Sequence, residues 1–326
     1  KYIYVQNYNK IQIILAYTET QKENALSLVK EITFDELNPN EERNQYFYFN
    51  GLYVDEDRLL VVGNSYEHSC SVAYEPKTDG ESKDGEESNP DGEDSYYYYD
   101  NCRYYEYHTS TLIFEYSKED FELINTYELS GNFIGSRKIG DDVYFVTSEW
   151  IPFYMQDYED YEFSLDTYLP EYQINGTEVS LGYEDVLYVE DTEPTNFTTF
   201  YGINLDTQEV SSEVVLGESG YNLYVSRNNI YLTGTKWNID DALFMELDEA
   251  VDDGQDVELT ENPYDISTSI VKVAIDEGKV EFANTGDVPG SALDQFAMDE
   301  DNGYIRMVTT EGNWWWWGGS NEINNR

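Results

Sequence analysis

The 326-residue chain carries 18 lysines and arginines against 67 aspartates and glutamates, a formal charge of −49 at pH 7. A field of that sign repels phosphate backbones and anionic lipid surfaces, so nucleic acid and membranes are poor partners, while cations, basic proteins and neutral sugars stay open. No apolar run approaches the ~18–20 residues of a membrane-spanning helix.

In chain order, residues 1–5, 10–16 and 25–32 read as three β-strands, branched and aromatic side chains set between short polar breaks. They form the last three strands of a unit spanning 1–37. No signal segment is visible, and since the chain opens in mid-strand a targeting segment is expected upstream. A second unit, 46–130, has strands at 51–54, 59–63, 113–116 and 121–129. Its insertion, 64–110, includes a stretch of Asp, Glu, Gly, Ser and Pro at 77–94 that cannot bury a core of its own.

The third unit, 131–219, opens with strands at 132–139 and 143–147 and carries an insertion rich in Tyr, Asp and Glu at 149–196. The fourth, 220–289, is interrupted by an acidic insertion at 238–265, where 240–251 has near-helical apolar spacing. The fifth, 290–326, has strands at 292–298 and 299–309 and then a tryptophan run. Aligned on Gly131, Gly220 and Gly290, the units repeat at spacings of 89 and 70 residues. Repetition of a four-strand unit predicts an all-β fold, a β-propeller of four-stranded blades. Three complete units with three strands before them and two after leave two readings: the end strands combine to close a small ring, or the chain is part of a larger propeller, which is the expectation. The long acidic, Tyr-rich insertions are predicted to emerge on one face, where loops on a rigid scaffold carry binding.

Two stretches then carry a resemblance. Residues 288–310 (VPGSALDQFAMDEDNGYIRMVTT) and 131–147 (GNFIGSRKIGDDVYFVT) closely resemble signatures of secreted archaeal and bacterial proteins containing a C-terminal β-propeller domain distantly related to WD40 repeats. The resemblance covers most of the chain outside the insertions. It implies a secreted or cell-surface propeller with further blades and no particular reaction.

Cys70 and Cys102 flank one insertion, which suits a disulfide staple and an oxidising compartment. The sequons at Asn175 and Asn196 fit a glycoprotein outside the cell. Asp299, Asp301 and Asn302 place alternating oxygens before Gly303, the start of a calcium loop; a plain hairpin turn at Asn302-Gly303 explains the same residues. The run Trp314, Trp315, Trp316 and Trp317 offers either an aromatic interface for a protein partner or glycan, or a strand buried between blades. The 32 tyrosines are expected to pack with solvated hydroxyls. No nucleophile elbow, phosphate loop or zinc-protease motif occurs. The expectation is therefore a non-catalytic binding or structural module, in adhesion or extracellular assembly. The alternative is an extracellular carbohydrate-active hydrolase with carboxylates at the propeller mouth.

Overall fold

The computed structural model describes residues 2–7, 10–16, 26–33, 45–73, 102–157, 162–189, 192–217, 219–239, 264–311 and 324–325. Strands β1 (Tyr2–Gln6), β2 (Lys10–Leu15) and β3 (Ser27–Thr33) form the first, three-stranded antiparallel sheet. β4 (Gln45–Val54), β5 (Arg58–Ala73), β6 (Cys102–Ser117) and β7 (Leu123–Ser130) form the second blade. The third opens with β8 (Asn132–Ile139) and β9 (Asp142–Trp150). Then come β10 (Glu171–Ile174), β11 (Thr177–Ser180) and β12 (Val186–Tyr188), before β13 (Asn196–Asn204) and β14 (Glu209–Gly217) complete it. β15 (Asn222–Val225), β16 (Asn229–Ile239), β17 (Tyr264–Asp276) and β18 (Lys279–Pro289) make the fourth blade. In the fifth, β19 (Ser291–Ala292), β22 (Thr309–Glu311) and β23 (Asn324–Asn325) pair, with a hairpin of β20 (Met298–Asp301) and β21 (Tyr304–Met307) set between. The chain is an all-β propeller whose sheets do not close into a ring among the described residues.

The second and third blades are buried on both faces, and strand alternation sends successive side chains to different neighbours. From β5, Leu59 and Val61 meet Ile11, Ile13 and Ile32 of the first blade, while Leu60 and Val62 meet Val143 and Phe145 of the third. From β9, Tyr144 and Val146 turn instead to Ile230 and Val273 of the fourth. One apolar layer thus sits between each of these adjacent pairs.

Polar contacts cross the same gaps. The Tyr53 hydroxyl pairs with Ser136 Oγ at 2.8 Å, Tyr144 Oη accepts from Gly278 N at 3.1 Å, and Tyr224 Oη accepts from Glu300 N at 3.1 Å. These tyrosines depart from the expectation of solvated hydroxyls, because a phenol long enough to cross an apolar layer finds its partner on the next sheet. Arg58 gathers Glu115 of its own blade at 3.0 Å and Asp141 of the next at 3.3 Å, and also pairs with Asp206.

The chain passes from blade to blade through a repeated clasp. Gly131, at φ +94°, donates its N–H to Thr109 O at 2.7 Å and accepts from Thr111 Oγ1 at 2.9 Å. Thr147 Oγ1 donates to Ser130 O at 2.6 Å. The same set recurs at Gly290, φ +80°: its N–H donates to Ile266 O, Thr268 Oγ1 donates to Gly290 O, and Thr309 Oγ1 to Pro289 O, each at 2.7 Å. Both glycines adopt a left-handed conformation that side chains rarely take. A Cβ on Gly131 would also lie 3.0 Å from the Ser148 carbonyl carbon. Gly220, aligned with them by the repeat, lacks the positive φ; there a Cβ would meet Leu232 Cγ at 2.5 Å.

Several expectations change. The strands of the second blade extend far into the predicted insertion 64–110, so β5 and β6 continue as a two-stranded arm. The insertion 149–196 is not an open loop. Its β10 pairs antiparallel with β7 of the second blade, and its β12 pairs parallel with β14 of the third. It therefore covers two outer sheet edges, groups that would otherwise template aggregation. Ile151, Tyr168, Phe197 and Val214 form a satellite core beneath it. The expected strand 292–298 breaks at Gln295–Ala297 into a 3-10 turn, because Asp294 Oδ1 caps Phe296 N at 2.8 Å. The helix expected at 240–251, and the tryptophan run, lie outside the described residues.

Replacing Thr111 by Val keeps the shape but removes the hydroxyl, leaving a buried carbonyl short of a partner. The expected loss is about 1–2 kcal/mol in urea unfolding, the same for Thr268→Val, with Thr111→Ser near wild type. Equal stability of all three variants would show that the clasp does not hold the blades.

Candidate functional site

β8 and β15 are the first strands of their blades and pair on one side only, β8 with β9 and β15 with β16. Their free edges, which in a propeller line the central channel, flank a cavity of about 660 Å³ that opens between them and the start of the fifth blade. Ser136 and Arg137 come from β8, Tyr221 and Asn222 from the entry to β15, and Asp294 and Phe296 from the 3-10 turn. Gly135 lets the two strands close: a Cβ there would sit 2.6 Å from Leu223 Cδ2. Phe296 and Tyr221 are exposed, at 86% and 56%. Burial raises the phenol of Tyr53, which reaches Ser136 from the second blade, opposed by that hydrogen bond and by the Arg137 charge.

The residues nominated from sequence do not gather there. Asp299, Asp301 and Asn302 lie on the exposed β20–β21 hairpin, whose turn at Asn302 (φ 54°) and Gly303 (φ 81°) suits two residues with positive φ. Asp299 pairs with Arg306, and Asp301 lies 3.5 Å from the same guanidinium. Glu300 alternates to the other side, where its carboxylate accepts from Asn229 Nδ2 at 3.0 and 3.1 Å and docks the hairpin on the fourth blade. Among the described residues no group of three or more His, Cys, Asp or Glu is arranged to hold a metal ion.

Asn175 turns the β10–β11 hairpin at φ 50°. Its side chain accepts from Thr126 N at 2.9 Å and donates to Asn125 Oδ1 at 3.0 Å, tying the hairpin to β7. Asn196 is 8% exposed and donates to Ser148 Oγ at 3.0 Å. Cys70 lies on β5 and Cys102 opens β6, where Ala73 is opposite Cys102.

Two features escaped the sequence reading. Arg137 sits inside the 131–147 hallmark, but only the topology turns its strand edge to the axis. Glu149 reads as the first acid of a polar insertion, yet it ends a strand and is 7% exposed, accepting from Thr109 Oγ1 at 2.8 Å across the second and third blades. Burial raises its carboxyl to about 7, opposed by the hydrogen bonds from Thr109.

The chain matches the family described as Beta propeller domain over residues 1–325, and it belongs to that family. No curated protein matches it. Among the described residues no helix is long and apolar enough to cross a membrane.

Because Glu149 is raised in the folded state from 4.5 to about 7, the native protein holds a proton there that the unfolded chain has released. Its contribution is intact below pH 4.5 and is lost as pH rises through 7, by about 3 kcal/mol at most. Glu149→Gln keeps the Thr109 bond without the charge. It is expected to match wild type near pH 4.5 and to exceed it increasingly up to pH 8 in urea unfolding. A stability difference that stays flat over this range would rule the carboxyl out as the titrating group.

Proposed function

We propose that this propeller is a non-catalytic binding and structural module, secreted or displayed at a prokaryotic cell surface, that assembles through the face bearing its insertions. One observation carries this reading. Beyond Glu67 and Ser110, where pairing with β4 and β7 ends, β5 and β6 run on as a two-stranded arm. The arm bears His68, Tyr105 and Tyr107, with ring centroids 5.5–6.3 Å apart and Tyr107 64% exposed. Its root is braced where His108 stacks on Tyr168 of the neighbouring insertion at 5.9 Å. An exposed aromatic ring on a projecting ribbon is a usual anchor of an interface. The second to fourth blades each place the insertion between their second and third strands, so the arm and both other excursions leave on one side.

An isolated two-stranded ribbon is marginal in water. A Cys70–Cys102 bridge across the arm supplies the missing constraint, worth about 2–4 kcal/mol in proteins of this kind, and accords with an oxidising compartment. Alkylation of the native-source protein without reduction is expected to add no label, and after reduction to add two per chain. Full labelling without reductant would remove both the bridge and its implied compartment.

The assembly reading is tested by light scattering of wild type and the double variant His68→Ser, Tyr107→Ser over a range of concentrations. Wild type is expected to reach multiples of the 37.9 kDa chain mass. The double variant is expected to need at least about tenfold more protein for the same degree of association. A wild type that stays monomeric throughout, or a variant that associates equally, overturns it. Release of reducing ends from a glycan panel would overturn the non-catalytic part in favour of a hydrolase.

A further inference from the structure

Arg137 differs from Arg58 and Arg306, which are paired, and from Arg227, which is unpaired among the described residues but lies in an exposed turn away from the cavity. In a chain with 67 acids and 18 basic residues, a guanidinium normally finds a carboxylate. Arg58 pairs with three and Arg306 with two. Arg137 is exposed in the axial cavity and forms no ion pair among the described residues. The one acid lining that cavity, Asp294, has Oδ1 engaged as the cap of Phe296 N at 2.8 Å.

We infer that the axial cavity is a binding site for a sugar acid of the hexuronate type, with Arg137 receiving the carboxylate. A guanidinium presents paired N–H donors that fit a carboxylate side by side, and such charge-assisted bonds are about twice as strong as neutral ones. The remaining lining suits a hydroxylated ring. Tyr221 and Phe296 supply exposed aromatic faces for the C–H side of a sugar, Asn222 and Gln295 supply amides, and Asp294 supplies a carboxylate to accept from hydroxyls. A volume of about 660 Å³ lies within the usual range of small-molecule sites.

The net charge narrows the choice further. A chain at −49 repels polyanions, which excludes an acidic polymer threaded along the axis. Physiological salt screens exposed charges beyond ~8 Å, so a single carboxylate drawn to a nearby guanidinium is tolerated. A ring acid without hydroxyls would leave Asp294, Asn222 and Gln295 unused, and a neutral sugar would leave Arg137 unused. The sugar acid engages all of them.

This site is separate from the arm, so either reading can fail alone. The experiment is calorimetric titration of the full chain with glucuronate, glucose and benzoate, repeated with Arg137→Gln, Arg137→Lys and the control Arg227→Gln in an exposed turn. Arg137 has no side-chain partner to lose among the described residues, so folding is expected to be unchanged, as circular dichroism would verify. Glucuronate is expected to bind at least about tenfold tighter than glucose or benzoate. Arg137→Gln should abolish that preference, Arg137→Lys should keep part of it, and Arg227→Gln all of it. Equal binding of glucose would mean that the cavity reads hydroxyls alone, and equal binding of benzoate that it reads charge alone. Either result overturns the inference. So would an Arg137→Gln variant that binds as wild type, or no binding of glucuronate at about 10 mM.

Discussion

The hydrogen bonds at Gly131 and Gly290 are the constraint on which the propeller depends, because they act where no sheet pairing exists. Within a blade, backbone ladders hold each strand to the next. Between blades the chain must leave the outer strand of one sheet and begin the inner strand of another, exposing backbone groups at a buried turn. The glycine satisfies its N–H on the third strand behind it. One threonine from that strand and one from the second strand of the next blade satisfy the carbonyls. A buried carbonyl left without a donor costs more than one hydrogen bond adds, so the clasp specifies the geometry as much as it stabilises it.

Once the blades are set edge to axis, their faces meet across apolar layers that a few polar groups penetrate. Tyrosine suits this role, being long, mostly apolar, and able to end in a hydrogen bond on the neighbouring sheet. Arg58 does the same with charge, drawing Glu115 from a strand of its own blade and Asp141 and Asp206 from two turns of the next to one guanidinium. The acidity of the chain is thereby locally compensated where these two sheets pack. Arg137, in the cavity lining, is without an ion pair among the described residues.

The insertion of the third blade has a structural role. By adding β10 to the second blade and β12 to the third, it moves the exposed sheet edges outward onto short strands, a common protection against edge-to-edge pairing. It also supports the root of the arm through Tyr168. Rim, arm and inter-blade packing are therefore parts of one mechanical unit.

The four-strand repeat, its punctuation by glycines and the propeller class were all legible in the sequence. Period-2 alternation and turn residues are local, and a unit written several times over is visible at any fixed spacing. The hairpin turn at Asn302-Gly303 was legible for the same reason. What the tertiary structure decided is everything that depends on which sheet lies beside which. Tyr53, Tyr144 and Tyr224 acquired partners only because another blade stands one apolar layer away. Glu149 became a buried, proton-holding acid because its strand continues past the apparent boundary into a blade junction. The insertion 149–196 found sheet edges that no local pattern announces, and Arg137 met the axis because its strand is the unpaired edge of a blade. Periodicity sets each element's type over a few residues, whereas burial and partnership come from contacts between residues far apart in the chain, and those exist only after the blades have packed.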